Sequence, residues 1–216
     1  MTSNLHERAS DRCAEALMLL EEEQSEPYDI IVMVQGDEPM THPDMITEAV
    51  QPMLENPNIL VVNLLGQISG NDEFVNPNCI KVVCDLKNNA LYFSREPVPA
   101  RFTTNKVPFG KQVCIIPFRR DFLIEYTSMT PTPLEIAESI DMLRILEHGM
   151  TVRLIPTKYN TVAVETEMDR QTVEKLLADD PTTSLYCEHK LNTKNEQDEI
   201  GNTMQNSLNE IEKNNK

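Results

Sequence analysis

The segment DIIVMVQGDEP, residues 29–39, gives the clearest indication of the fold. Its first seven residues are almost wholly apolar and mostly β-branched, which is typical of a strand that is buried on both faces of a sheet. The strand is predicted to end at Gly36, and a helical pattern and a second apolar strand follow at residues 41–54 and 59–65. Strand, helix and strand in this order predict a βαβ unit. We therefore expect a three-layer α/β/α fold with a mostly parallel sheet.

The rest of the chain is predicted from the same two periodicities. The helix start Thr-Pro-Leu-Glu at residues 132–135 is a capping box with proline at its first position, and the helix is expected to end at Gly149. The other expected elements are a helix at 11–24, a hairpin of strands 79–84 and 90–93, strands at 112–118, 151–155 and 161–164, and a last helix at about 169–178. We predict one domain over residues 1–180 and a disordered polar tail over 181–216.

Composition and charge narrow the classes of function. The 216 residues carry a formal net charge of −16, which disfavours nucleic-acid binding because such binding requires many Lys and Arg side chains. No apolar run approaches the length of a membrane span and the first residues are polar, so we expect a cytosolic location and no membrane partner. The five cysteines form no C-x-x-C pair, which favours free thiols over disulfides or zinc. An acidic chain needs a bound metal or well-placed basic residues to hold a triphosphate.

The strongest local signal is Gln35-Gly36-Asp37, directly after the first strand. Ligands of open α/β sheets bind outside the carboxyl ends of the strands, where this segment lies. Gly36 lets the backbone approach a ligand closely, and Asp37 offers the hard oxygen ligand that Mg²⁺ prefers. The alternative interpretation is an ordinary strand-to-helix turn that carries a solvated acid.

Four segments, in this order and spacing, resemble the successive motifs of the CMP-Kdo synthetases: IIVMVQGDEPM (30–40), NPNCIKVV (76–83), ALYFSREPVP (90–99) and TPLEIAESIDMLRILEHG (132–149). The resemblance runs from about residue 2 to about residue 178. It implies a nucleotide-diphospho-sugar transferase fold. It also implies transfer of CMP from CTP to 3-deoxy-manno-octulosonate (Kdo) or a related 2-keto-3-deoxy sugar acid, with release of pyrophosphate, for lipopolysaccharide biosynthesis. Mg²⁺ is the expected cofactor and a homodimer the expected assembly.

The resemblance also implies a pair of metal-binding acids. Asp37 is the first, and the second is an aspartate in a V-D-T-P-E-D motif, which reads VETEMD at residues 164–169 of this chain. Glu165 takes the place of that aspartate and is one methylene longer, enough to displace a metal by about an ångström. The alternative is that Glu165 and Asp169 only begin the last helix, where acids are favoured.

The same motifs imply contacts with the sugar acid. Arg95 is the expected partner of its carboxylate, because a guanidinium can bind a carboxylate through two parallel hydrogen bonds; the alternative is a surface salt bridge. Glu135 and Glu138 lie on one helical face and are expected to accept hydrogen bonds from sugar hydroxyls, although Glu135 is also the acid of the capping box. Gln112 stands where these enzymes commonly have a histidine that contributes to sugar recognition, which predicts an altered set of contacts.

Ser10, Asp11 and Arg12 belong to the segment SDRCAEA (10–16), which is similar to the family's T-D-R-x-A-E-A and is expected to line the nucleotide pocket. A capped helix start explains Ser10 and Asp11 almost equally well.

No segment corresponds to the family's R-x-x-S-x-R-x-x-G-K loop, which wraps the CTP phosphates, so an N-terminally truncated fold is expected. Two classes of function follow. The first is an enzyme of the cytidylyltransferase type, with doubtful activity of this chain alone. The second is a catalytically inactive fragment or homologue that acts as a binding subunit. A glycosyltransferase is less favoured, because those enzymes usually present D-x-D after a strand and this chain has Gly36-Asp37-Glu38.

Overall fold

The structure is a computed structural model that describes residues 1–6, 8–24, 26–100 and 109–183. Its elements in chain order are α1 (Ala9–Gln24), β1 (Ile30–Val34), α2 (Pro43–Glu55), β2 (Val62–Gly66), α3 (Asn71–Val75), β3 (Lys81–Cys84), β4 (Ala90–Ser94), β5 (Phe109–Val113), β6 (Ile115–Arg119), α4 (Arg120–Ser128), α5 (Pro133–Glu138), α6 (Met142–Glu147), β7 (Arg153–Pro156) and α7 (Glu167–Ala178).

The chain divides into two compact units, Met1–Thr166 and Glu167–Lys216. The described part of the second unit contains α7, and the boundary predicted at residue 180 lies inside that unit. The predicted disordered tail, residues 181–216, lies outside the described residues except for 181–183.

The strands form a five-stranded sheet of order β4-β3-β5-β2-β7 and a two-stranded sheet of β1 and β6. A bridge between Val61 and Phe118 and a hydrogen bond from the Arg119 N–H to the Leu60 carbonyl place β6 beside the start of β2 as well. Both neighbours of β6 run antiparallel to it, so β1 and β2 point the same way. The predicted βαβ unit is therefore present, with β6 inserted between its two strands.

Helices cover both faces of this arrangement. On one face, Met45, Ala49 and Met53 of α2 pack against the strand residues Val62 and Leu64. On the other face, side chains of α1, α4 and α6 pack against alternate strand residues such as Met33, Leu65 and Phe118. Within β1, Ile30 and Val32 face α2, whereas Ile31 and Met33 face the other core. The three-layer α/β/α prediction is confirmed, and apolar alternation along the strands accounts for it.

The sheet is not mostly parallel. Among the described strands only β2 and β7 pair in parallel, and the other pairs are antiparallel. The expectation failed because β3 and β4 form a local hairpin, with Asn88 in the left-handed region (φ 59°), and because β5 and β6 run against both of their neighbours. A hydrophobic run predicts burial on two faces but not the direction of the neighbouring strand.

Several predicted elements differ in detail. The helix predicted from 132 to 149 is broken into α5 and α6 by Ser139, which adopts a left-handed conformation (φ 55°). The strand predicted at 112–118 is interrupted at Cys114, residues 161–164 form no strand, and α3 and α4 were not expected. The prolines and other breakers of residues 97–110 predict a loop, which lies partly in the undescribed range 101–108.

In the part of the chain that the structure describes, no helix combines the length and apolarity needed to cross a membrane.

Candidate functional site

The turn after β1 is anchored to the interruption between β5 and β6. The Gln35 N–H donates to the Cys114 carbonyl (3.2 Å), and the Glu38 N–H donates to the Gln35 carbonyl (3.3 Å), which closes the turn. A Cβ atom built on Gly36 meets no atom within 4 Å, so the turn faces open space. Gln35 and Gly36 thus lie where a ligand can reach the backbone at the carboxyl end of β1.

Two acids of this turn carry buried oxygen atoms that lack a partner. Asp37 Oδ1 and Glu38 Oε2 are buried side-chain atoms without a hydrogen-bond partner in the described residues. Glu38 is only 6 % exposed and accepts hydrogen bonds from the Cys114 N–H and the Thr161 hydroxyl. Burial raises the pKa of Glu38, and the charge of Asp37 adds to the shift. Buried carboxylate oxygens without a donor are costly unless a cation or a ligand donor satisfies them.

Glu165 follows a residue that is hydrogen-bonded to this turn. The Val164 N–H donates to the main-chain carbonyl of Asp37 (2.9 Å), which places the next residue, Glu165, beside the turn with an exposed side chain. The structure therefore brings together Asp37 and Glu165, the two acids for which the sequence suggested a metal.

An acidic environment surrounds the Cys114 thiol. Burial raises the pKa of Cys114 far above its ordinary value, and four nearby carboxylates raise it further: Glu38, Asp37, Asp141 and Glu165. The thiol is therefore protonated and unreactive. Carboxylates from three separate segments converge on this position, so their combined negative charge favours a bound cation.

The protein can supply part of the coordination shell of a magnesium ion. Across the described ranges, no three His, Cys, Asp or Glu side chains are grouped as a closed metal cage. Mg²⁺ is usually held by one or two carboxylates and completes its octahedron with water and substrate phosphates. Asp37, with its unpartnered oxygen, and the neighbouring Glu165 meet that requirement, so the residues present fit the ion as far as protein ligands are concerned.

The start of α1 contacts the junction between α5 and α6. Ser10 is fully buried, and its hydroxyl donates to Asp141 Oδ2 (3.1 Å), while Arg8 Nη1 lies 3.2 Å from Asp141 Oδ1. Burial raises the pKa of Asp141, although Arg8 and Ser10 oppose the shift. Ser10 therefore contacts another segment instead of capping its own helix. Arg8 and Asp141 were missed in the sequence, because nothing in their local pattern distinguishes them from ordinary surface charges.

The other two residues of this segment are more exposed. Arg12 is exposed, and its Nη1 donates to Thr2 Oγ1 (2.8 Å) and to the Ser3 carbonyl (2.9 Å). Asp11 is half-buried in the first turn of α1. Arg12 therefore binds the N-terminal segment in this structure, and its predicted contact with a nucleotide stays a prediction.

Arg95 and Glu138 hold the end of β4 against the end of α5. The Glu138 carboxylate accepts hydrogen bonds from the Tyr92 hydroxyl (3.1 Å), the Ser94 hydroxyl (3.1 Å) and the Arg95 N–H (2.8 Å). Both of its oxygens have donors, so a sugar hydroxyl would have to compete with them. The expected contact of Glu138 with a sugar hydroxyl stays a prediction.

The Arg95 guanidinium is also engaged, but with neutral groups. It donates to the carbonyls of Glu138 (2.7 Å), Pro77 (3.1 Å) and Ser139 (3.4 Å). It is therefore not a surface salt bridge. These bonds use three of its five N–H groups, and the side chain is half-exposed, so it retains donors for an anionic ligand.

Glu135 forms a buried ion pair with Arg144, and the sugar contact expected of it stays a prediction. It is 1 % exposed, and its two oxygens accept from Arg144 Nη2 (2.6 Å) and Arg144 Nε (2.7 Å), while the Thr132 N–H adds the capping-box bond (3.2 Å). Burial by itself raises the pKa of Glu135, but the hydrogen bonds from Arg144 and Thr132 and the charges of Arg144 and Arg8 together outweigh it and hold the pKa below its ordinary value. The sequence could not reveal this role, because it depends on an arginine that lies in the next helix.

Gln112 is half-buried in β5 and bonded within the sheet. Its Nε2 donates to Asn63 Oδ1 (2.8 Å), and Asn63 in turn donates to the carbonyls of Leu64 and Val113. The amide of Gln112 already has a partner in β2, so a sugar hydroxyl would compete with that partner. The altered sugar contacts expected from Gln112 stay a prediction.

Comparisons with known proteins agree with this architecture. The family described as "Cytidylyltransferase" matches residues 1–155. The 3-deoxy-manno-octulosonate cytidylyltransferase of Geobacter metallireducens is 39 % identical over 188 residues, which cover 82 % of this chain and 72 % of the relative. The enzyme of the same name from Geobacter sulfurreducens is 40 % identical over 188 residues, covering 82 % and 73 %.

The comparison with a solved structure agrees with the comparison with these relatives. The chain is similar to a CMP:2-keto-3-deoxy-manno-octonic acid synthetase complexed with CTP, with a TM-score of 0.71 and 34 % identity over 82 % of this chain and 71 % of that one. A matched family over most of the chain, close curated relatives and a shared fold lead to one conclusion. The chain belongs to the cytidylyltransferase family.

Proposed function

We propose that this chain transfers CMP from CTP to Kdo or a closely related 2-keto-3-deoxy sugar acid and releases pyrophosphate, a step of lipopolysaccharide biosynthesis. The observation that carries the proposal is the turn Gln35–Glu38, where two buried carboxylate oxygens lack partners at the carboxyl end of a strand. Membership of the cytidylyltransferase family and relatives named for this reaction support the choice of substrates.

The proposed reaction needs no nucleophile from the protein. The anomeric hydroxyl of the sugar acid attacks the α-phosphorus of CTP and loses its proton to water. The new P–O bond forms as the bond to the bridging oxygen breaks, and pyrophosphate leaves with that oxygen. Such a reaction depends on positioning and on neutralisation of charge. The residues of this chain therefore act by holding the two substrates and not by covalent catalysis.

Charge neutralisation is the main difficulty for an acidic protein. A triphosphate that approaches the four carboxylates near Cys114 is repelled unless cations intervene. We propose that Asp37 and Glu165 hold Mg²⁺, which when bound would neutralise phosphate oxygens. Arg8, half-exposed beside Asp141, is a basic side chain that can add to this effect.

The sugar acid would lie toward Arg95. The N–H groups that its guanidinium does not use for Pro77, Glu138 and Ser139 can bind a carboxylate, and the carbonyl contacts fix the plane of the group. Glu138 is then a positioning residue for Arg95, because it accepts the Arg95 N–H. A cytosolic enzyme is consistent with these water-soluble substrates.

A homodimer is part of the proposal, and the hairpin β3–β4 is its proposed contact. β4 is an edge strand of the five-stranded sheet, and the hairpin exposes Leu86 (97 %) and Leu91 (62 %). Exposed apolar side chains on an edge strand favour association. A Leu91→Lys variant that shifts the sedimentation coefficient toward that of a monomer would support the contact, and a monomeric wild-type chain would refute it.

The function is tested by pyrophosphate release from CTP with Kdo and Mg²⁺. We expect release that requires both substrates and the metal, and a loss of about 10³-fold in rate for Asp37→Asn, about 4 kcal/mol of transition-state stabilisation. Asp44→Asn is the matched control, since Asp44 is exposed and bonds Tyr159 instead of the turn. Equal rates for Asp37→Asn and the wild type would reject the proposed site. Absence of release by the wild type would favour a non-catalytic binding subunit.

A further inference from the structure

Lys111 is a buried cation that no proposed substrate contact uses. It lies on β5, is 6 % exposed, and its Nζ atom donates to Glu73 (2.5 Å), to the Thr161 carbonyl (2.8 Å) and to Asn160 Oδ1 (3.3 Å). A buried ammonium is retained only where its hydrogen bonds are satisfied. Here two of its three acceptors belong to the segment that leads to Glu165.

The neighbouring strand leaves a path for this side chain. Gly66 of β2 is the register partner of Lys111. A Cβ atom at Gly66 would lie 3.1 Å from Lys111 Cγ and 3.2 Å from its Cε, closer than ordinary contact. Glycine at this position therefore allows Lys111 to cross β2 and reach residues 160–161.

Thr161 joins Lys111 to the candidate metal turn. It is 2 % exposed, its carbonyl accepts from Lys111, and its hydroxyl donates to the Glu38 carboxylate. One residue therefore links a buried cation of β5 to a buried acid that is adjacent to Asp37. A third bond, from the Val164 N–H to the Asp37 carbonyl, fixes the end of the segment.

These contacts replace regular secondary structure. Residues 161–164 form neither helix nor strand, so the regular backbone hydrogen bonds of a helix or sheet do not determine where they lie. Glu165 follows immediately, with an exposed side chain. Its position relative to Asp37 therefore depends on the bonds made by Lys111, Thr161 and Val164.

We propose that Lys111 and Glu38, acting through Thr161, are positioning residues that set Glu165 against Asp37 for binding of a divalent cation. The inference rests on the proposed function, because it assumes that these two acids share a cation. Partners that orient metal ligands commonly affect affinity by about 10- to 100-fold when they are mutated. A network that only stabilises the fold would change stability without changing the affinity for the cation.

The test is a titration of the full chain with Mn²⁺ alone, followed by electron paramagnetic resonance of the free ion. We expect Thr161→Val to weaken Mn²⁺ binding by about 10-fold or more, and Thr161→Ser, which keeps the hydroxyl, to retain wild-type affinity. Thr157→Val is the matched control, because Thr157 is also buried (4 %) but donates to Glu48 of α2. The control should leave the affinity unchanged.

A double-mutant cycle separates positioning from general damage. In a Glu165→Ala background, Thr161→Val should weaken Mn²⁺ binding no further, since the residue that it positions is gone. Lys111→Met should show the same dependence on Glu165. An equal loss in both backgrounds, or wild-type affinity for Thr161→Val, would overturn the inference.

The outcome for Asp37→Asn distinguishes this inference from the proposed function. Loss of Mn²⁺ binding in Asp37→Asn together with a normal Thr161→Val variant rejects only the positioning role. Wild-type Mn²⁺ affinity in Asp37→Asn, or no Mn²⁺ binding by the wild-type chain, rejects the shared cation and the positioning role with it.

Discussion

Two charged regions of the molecule treat their carboxylates in opposite ways. At the junction of β4 with α5 and α6, every carboxylate oxygen of Glu135 and Glu138 accepts a hydrogen bond from the protein. At the turn after β1, Asp37 Oδ1 and Glu38 Oε2 are buried without a partner. The only other buried side-chain oxygen or nitrogen without a partner among the described residues is the neutral hydroxyl of Thr132.

This contrast separates acids that stabilise the fold from acids with an oxygen left for a ligand. A buried carboxylate oxygen with a donor contributes to stability, whereas a buried oxygen without one costs free energy in the ligand-free protein. Such a cost is tolerated where a cation or substrate removes it on binding. The sequence motifs suggested substrate contacts in both regions, and the hydrogen bonds separate them.

The largest effect on stability is expected for Arg144→Met, which breaks the buried pair with Glu135. Removing the guanidinium leaves the Glu135 carboxylate buried and uncompensated, which costs about 3–5 kcal/mol. Urea denaturation at neutral pH measures the loss. Arg170→Met, which removes an exposed arginine, is the control and should cost far less. Similar losses for both variants would contradict a structural role of the buried pair.

A smaller loss is expected for Glu138→Ala. The substitution removes the acceptor of the Tyr92 and Ser94 hydroxyls and of the Arg95 N–H, which costs about 1–3 kcal/mol. Glu138→Gln keeps an acceptor and should lose less. Should the alanine variant be as stable as the wild type, this region would resemble the turn after β1, and Glu138 would again be a candidate sugar contact.

The pH dependence of the Glu135 pair gives a smaller signal. Burial raises the pKa of Glu135 in the folded state, but the hydrogen bonds from Arg144 and Thr132 and the charges of Arg144 and Arg8 together lower it, so its carboxylate stabilises the fold above the ordinary glutamate pKa of about 4.3. That contribution is lost as the pH falls through the lower, folded-state pKa. The stability difference between wild type and Glu135→Gln should therefore shrink in acid, as measured by urea denaturation from pH 7 to pH 3. A difference that is constant over this range would contradict the lowered pKa.

The smallest effect on stability is expected where the effect on activity is largest. Asp37→Asn replaces a charged group that has an unpartnered buried oxygen by a neutral one, so the free energy of unfolding should change by less than about 0.5 kcal/mol or increase. The same preparation should have lost pyrophosphate release. Thermal and urea denaturation beside the activity assay compare the two. A loss above about 2 kcal/mol would place Asp37 with the structural acids instead.

Local patterns predicted much of the fold. The start of α5 at Pro133, the hairpin of β3 and β4 and the packing of β1 against cores on both of its faces all follow from residue chemistry within a few positions. The interruption at Ser139 could not be predicted, because the carbonyls of Glu138 and Ser139 are held by Arg95, which is distant in sequence. The start of α4 was missed for another reason, since Arg119 makes no side-chain capping bond there.

The candidate site was predictable only where one residue type is suited to the chemistry. Asp37 follows a buried strand and was identified, and Glu165 was identified through a resemblance of motifs. Glu38, Lys111 and Thr161 carry no such signal, because their roles come from burial and from partners on other strands. The ion pair of Glu135 was missed for the same reason, since its arginine partner cannot be seen in a local pattern.

The insertion of β6 between β1 and β2 has a consequence for synthesis on the ribosome. The strands on either side of α2 emerge early, yet the strand that joins them emerges only after β5 has been made. Until then the nascent chain presents open strand edges with apolar side chains, the kind of surface that chaperones bind and that associates between neighbouring polysomes. Yield of folded protein should therefore depend on translation speed and on chaperone supply more than its final stability would suggest.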